Sequence, residues 1–340
     1  MKKFLAVMLT LVMVFSLAAC GGPEAPADGD GEGAAEPRTL VLSHHCIEDD
    51  SNHVFAQAFA DKVEELSGGQ LKIDIYTSGQ LYGQADAVEA LRQGTLDMCL
   101  CDTAMFVNYD GGTGVLDLPY VFNTREEAIN VTRNPEFLAA FRDRAVQKSG
   151  IDVLGIIVLN FRNSIVTDMN VKDIDGFKGM IMRTPESPTI IAAFEAFGAS
   201  PTVIPSGEAY TALQTGVADA AECHSEYIYN QKYWEVAKNY VRTEHVMCYT
   251  TLSMADKTYQ TLTDEQKAWF DEAVQYGYDV FYDYTDGLFE AKEQAMVEEG
   301  GITITEVDKQ PFKDAVADYV NNYTVENDCV ELYDLMNSLK

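Results

Sequence analysis

Basic side chains are scarce. The chain carries 24 Lys and Arg against 54 Asp and Glu, a formal net charge of −30 over 340 residues. Such a surface repels polyanions, which excludes nucleic acid and anionic lipid headgroups as partners. Several catalytic signatures are also missing. No nucleotide-binding glycine loop, zinc-protease helix or serine-nucleophile elbow is present. This argues against the commonest exported hydrolases and leaves other enzymes open. The apolar run Phe4 to Leu17 falls short of the roughly 20 residues of a transmembrane helix. Residues 21–37 hold Gly, Pro, Ala, Asp and Glu with almost nothing bulky, a composition that cannot bury a core.

Lys2 and Lys3 precede the apolar run, and Leu17-Ala18-Ala19-Cys20 follows it. That is the order of a secretory signal, and small residues before a cysteine are the pattern of bacterial lipoproteins. Residues 1–19 are therefore expected to be a signal peptide, Cys20 a diacylated anchor, and 20–37 a flexible tether. The alternative is an ordinary signal peptide with an incidental cysteine. About 300 residues remain from Arg38 onward, enough for two domains. Six further cysteines allow three disulfides, but spacing does not decide connectivity. Cys99 and Cys101 are two apart in a strand and cannot pair with each other. A core this large needs no staples, so free thiols fit as well.

Ser51 reads as a helix N-cap, with Phe55, Phe59, Val63 and Leu66 at helical spacing and Gly68-Gly69 as the stop. Leu71, Ile73 and Ile75 alternate as a strand, a helix carries Val88 and Leu91, and Leu96 to Leu100 is the next strand. This alternation predicts α/β architecture with a largely parallel sheet. Ile151 to Leu159 is a continuous apolar run, a strand buried on both faces. A strand near Met180 to Arg183, a helix over 187–197, a turn at Ser200-Pro201, a helix over 207–214, a strand over 217–222 and a helix over 227–237 follow. Val241 to Leu252 is extended and crosses between domains. Thr263 and Gln266 form a capping box, and no proline interrupts the next stretch to Glu299. One helix there would be about 50 Å long and would span both domains. The alternative is two helices broken at Asp286-Gly287.

Three stretches in the second half stand together: Lys178-Gly179-Met180-Ile181-Met182-Arg183-Thr184-Pro185, Ala212-Leu213-Gln214-Thr215-Gly216 and Tyr233-Trp234-Glu235-Val236. Thr77-Ser78-Gly79-Gln80-Leu81, Leu91-Arg92-Gln93-Gly94 and Leu118-Pro119-Tyr120 precede them. This ordered set resembles the substrate-binding subunits of TRAP transporters, the dicarboxylate-binding (DctP-type) family. The resemblance implies a periplasmic-binding-protein-like fold: two α/β domains, each a mostly parallel sheet flanked by helices, facing a cleft and braced by a long domain-spanning helix. It places domain I at 38–160 plus 250–288 and domain II at 161–249 plus 289–340. It also implies a monomer without cofactor or metal that captures a small carboxylate, performs no catalysis, and serves TRAP membrane subunits.

Arg183 falls where the family's principal ligand arginine lies. A guanidinium offers a planar fork that matches both carboxylate oxygens. Arg162, at the end of the apolar strand, is the candidate for a second arginine, one residue out of register. Glu222-Cys223-His224 stands where the family commonly has Glu-Asn-Pro. A thiol is a poor substitute for an amide, and His224 adds a titratable donor, so a smaller or less polar acid is expected. Asp102, Gln84 and Ser206 are the remaining cleft candidates. A second carboxylate would be repelled by Asp102, which could instead accept from a hydroxyl or amine.

Two other readings attach to the thiols. His44-His45-Cys46, Cys99-x-Cys101 and Cys223-His224 are soft-metal ligand types that could face one crevice. Against this, cysteine commonly packs as a small hydrophobe, and Cys99 and Cys101 face away from Asp102. Cys223 with His224 as base would make an exported enzyme, but neighbours on a strand point to opposite faces. A ligand-sensing lipoprotein feeding a receptor is equally compatible with the sequence.

Overall fold

The computed structural model describes residues 37–340. The signal peptide 1–19, Cys20 and, apart from Pro37, the tether of 20–37 lie outside the described residues.

Nine strands form one sheet: β1 (Arg38–His44), β2 (Leu71–Tyr76), β3 (Met98–Asp102), β4 (Ile151–Val166), β5 (Ile181–Thr184), β6 (Ser200–Val203), β7 (Ala220–Cys223), β8 (Asn239–Ala255) and β9 (Thr303–Glu306). Their order is β2-β1-β3-β8-β4-β7-β5-β6, with β9 alongside β8. The parallel pairing expected from the sequence holds within two wings. β1 runs parallel to β2 and β3, and β5 to β6 and β7. Between the wings the sheet is antiparallel, because β4 and β8 pass through both of them side by side. At 16 and 17 residues these two strands are about 50 Å long, enough to cross two lobes.

Helices cover both faces of each wing. In the first wing Val88, Leu91, Phe137 and Phe141 pack on one face, and Phe55, Phe59, Phe270 and Phe281 on the other. In the second, Leu213, Tyr227 and Tyr240 oppose Phe177, Phe194 and Phe312. Coverage on both faces explains why Ile151 to Leu159 is apolar without alternation.

Four local expectations change. The helix Ser51–Leu66 is capped by Asp50, whose carboxylate accepts from the Asn52 N–H. Ser51 instead donates its hydroxyl to Glu226 at 2.5 Å. Ser200-Pro201 is strand, not turn; β6 is an edge strand, where the missing proline N–H costs no ladder bond. The helix expected over 227–237 is two, Ser225–Asn230 and Tyr233–Val236, separated at Lys232 with φ of 58°. The long helix is also two, Asp264–Tyr284 and Leu288–Gly300, with Gly287 left-handed at φ 67° between them. The capping box at Thr263 and Gln266 is present. The first helix packs Phe270 and Phe281 on the first wing, and the second packs Met296 on the other.

The β4–β8 register shifts between Val158 and Phe161, and again between Arg162 and Ser164. At the first shift Arg125 takes up the displaced carbonyls. Its guanidinium donates to Leu159 O at 2.5 Å and Val158 O at 3.2 Å, and to Thr285 Oγ1 at 2.9 Å beside the helix break.

Candidate functional site

The carboxyl ends of β1, β3, β5 and β7 converge on the middle of β4 and β8, the crevice where open α/β sheets bind ligands. Seven of the eight candidate residues line one small chamber there: Gln84, Asp102, Arg162, Arg183, Ser206, Cys223 and His224. Glu222 does not reach the wall. It lies behind Arg162, fully buried, because the strand alternation that turns Cys223 toward the chamber turns Glu222 away. A larger groove on the outside of the first wing runs past Arg142 and Asp152, but those two charges already meet each other.

Arg183 is 1% exposed. Its Nε donates to Ile204 O at 2.8 Å and its Nη2 to Ser206 Oγ at 3.2 Å, which fixes the plane of the guanidinium. Nη1 has no protein acceptor, and no carboxylate pairs with the side chain among the described residues. A buried cation without a counter-ion costs several kcal/mol. A site held in that state is prepared for an incoming anion.

Arg162 is arranged differently. Its Nε and Nη2 donate to the two oxygens of Glu222 at 2.5 and 2.7 Å. Burial opposes the Glu222 charge, but the Arg162 guanidinium outweighs it and holds the carboxyl below the usual carboxylate range. One edge of the Arg162 fork is thus committed to the protein. Nη1 alone turns to the chamber, 3.1 Å from Cys248 Sγ and 3.5 Å from Asp102 Oδ2.

Around these cations the wall is mixed. The Asp102 N–H donates to Gln84 Oε1 at 2.8 Å, so Gln84 anchors the end of β3. His45, Cys46, Asn52, Leu159, Pro185, Tyr227 and Cys248 complete the lining. Burial lowers the pKa of His45, with Asp102 and Asp50 acting against it. Cys223 and His224 both face the chamber, contrary to the expectation from strand alternation. β7 ends at Cys223, and His224 is the N-cap of the next helix, so the two are not consecutive strand positions. Burial, then Arg162, pushes the His224 imidazole down to about 3.

The thiols divide into groups. Cys99 and Cys101 point into the first-wing core with sulfurs 3.6 Å apart, and His44 meets His53 at 3.2 Å, so these residues do not join the chamber. His45, Cys46, Cys223 and His224 do, together with Cys248. The six cysteines of the described residues are free and buried. Cys248 and Asn52 carry no signal in the sequence. Cys248 sits inside a long buried strand with no punctuation around it, and Asn52 looks like any first-turn helix residue.

This architecture is shared. The family described as "Bacterial extracellular solute-binding protein, family 7" (DctP) matches residues 42–327. A protein of Salmonella typhimurium, YiiZ, is 30% identical over 256 residues, covering 75% of this chain and 78% of its own. The TRAP periplasmic solute-binding protein of Sulfitobacter sp. NAS-14.1, solved with bound β-D-galacturonate, is 26% identical with a TM-score of 0.82. That match covers 89% of this chain and 99% of the other. A TRAP periplasmic solute-binding protein of Bordetella bronchiseptica, its bound density interpreted as pantoate, is 27% identical with a TM-score of 0.82 and the same coverage. The chain therefore belongs to the DctP family, the solute-binding proteins of TRAP transport systems.

Proposed function

We propose that this protein captures a small monocarboxylic acid outside the cytoplasm and delivers it to the membrane subunits of a TRAP transporter. The observation that carries this reading is Arg183, buried, oriented by Ile204 and Ser206, and without an acidic partner. A carboxylate completes it, and exclusion of water on closure strengthens the contact. Asp102 disfavours a second carboxylate nearby and suits a hydroxyl. Cys46, Cys223, Cys248 and Leu159 make the rest of the wall less polar. The sugar acid and the pantoate held by the two relatives of known structure are of this class. The lobes that close are read as 38–160 plus 250–288 and 161–249 plus 289–340. The chain acts as a monomer, anchored through a lipidated Cys20, and makes no covalent change to its ligand.

A thermal-shift screen over hydroxy and sugar monocarboxylates tests this. A ligand that binds only the native form at 100 times its Kd adds about 2.7 kcal/mol of stability. A panel in which no carboxylate raises Tm, while neutral sugars do, sinks the proposal.

A further inference from the structure

The carboxylate grip leaves one cluster of the chamber unused. Cys223 ends β7, His224 caps the following helix, and Cys248 lies in β8. One potential ligand atom from each stands within 4.8 Å of the other two. In a tetrahedral zinc site, bonds of about 2.3 Å to sulfur and about 2.0 Å to nitrogen put the ligand atoms roughly 3.5 Å apart.

The surroundings favour a cation here over packing. His224 is 2% exposed, and its Nδ1 has no hydrogen-bond partner, a cost that buried imidazoles normally avoid. Arg162 Nη1 donates to Cys248 Sγ at 3.1 Å, the kind of outer-shell hydrogen bond that accompanies metal-bound ligands. Glu222 pairs with the Arg162 guanidinium and offsets part of its charge beside the cluster. By contrast Cys99 and Cys101 lie in the apolar first-wing core, with Thr251 Oγ1 3.7 Å from Cys101 Sγ.

We propose that Cys223, His224 and Cys248 form a three-ligand site for a soft divalent cation of the zinc class, its fourth position open to the chamber. Binding releases the two thiol protons to solvent, and the two thiolates neutralise the ion. The site does not depend on Arg183, so it stands or falls separately from the carboxylate reading.

The test uses reduced full-length protein with Co2+ as probe and Zn2+ as competitor. One Co2+ per chain is expected, with a thiolate-to-cobalt charge-transfer band that Zn2+ removes. Cys223→Ser and Cys248→Ser should each weaken Co2+ by more than the roughly 100-fold seen for outer-shell changes, and Arg183→Ala should leave the band intact. X-ray absorption of the zinc-loaded wild type needs no variant and should show two sulfur scatterers with an imidazole. A shell of oxygen and nitrogen only, a band that survives in the double serine variant, or no uptake at equimolar metal overturns the proposal.

Discussion

Arg183→Ala separates a ligand clasp from a structural cation. Removing one member of a buried, hydrogen-bonded charge pair costs about 2–5 kcal/mol of affinity, or roughly thirtyfold to several thousandfold. The effect on the ligand-free protein runs the other way. The substitution loses the bonds to Ile204 O and Ser206 Oγ, worth about 1 kcal/mol each, but removes a buried charge with no counter-ion. The two terms offset, so the ligand-free Tm should stay within about 3 °C of wild type or rise. Calorimetry with the best acid from the screen, beside melting curves with and without it, reads both quantities. A variant that binds the acid within threefold of wild type refutes the reasoning. So does one that melts far lower without ligand, since the guanidinium would then be holding the fold together.

Arg162 gives the contrast. Glu222→Gln leaves its guanidinium buried beside a neutral amide and should destabilise the ligand-free protein by about 3–5 kcal/mol in urea titration; a loss under 1 kcal/mol would remove the pair from the scaffold. Asp117 accepts from Thr103 at 2.8 Å on one oxygen only, and burial pushes its carboxyl up to about 7. The folded state therefore holds a proton that the unfolded chain releases near 3.8, so this group's contribution falls as pH rises from about 4 to 7. Asp117→Asn should match wild type near pH 4 and exceed it above pH 7 by up to about 4 kcal/mol, and a difference independent of pH would contradict the assignment. Gly287→Ala meets no atom within 4 Å, so its cost is the left-handed backbone alone, about 1–2 kcal/mol by denaturation; a neutral result would show that the helix break does not need that conformation.

The strands were legible where burial imposes a pattern. The apolar run of β4 and the alternation of β2 announce themselves, and the sequence reading puts Arg183 and Asp102 at strand ends and Ser206 on the loop entering a helix. The breaks were less legible. Gly287 interrupts a stretch whose apolar residues keep helical spacing on both sides, because each half is amphipathic toward a different wing. Lys232 takes a left-handed turn that its side chain does not advertise. In the site, the sequence could propose two arginines but not their difference. Which of them is neutralised depends on whether Glu222 lies beside it, and that is set by β4 pairing with β7. Cys248 reaches the chamber through strand register, which no local spacing encodes.

The crossing of the wings by two paired strands constrains how the molecule can gape. Sliding one half past the other would shear the β4–β8 ladder along its length, whereas flexing at the two of its three register shifts nearest the chamber, Val158 to Phe161 and Arg162 to Ser164, leaves the rest of it intact. Those shifts flank Leu159 and Arg162, so the pivot runs through the floor of the ligand space. In such a motion the floor would stay nearly still while Asp102 and Arg183 parted on opposite jaws. An acid too long for the space would rest on that floor and prop the jaws open. A fulcrum at that position would discriminate acids by length.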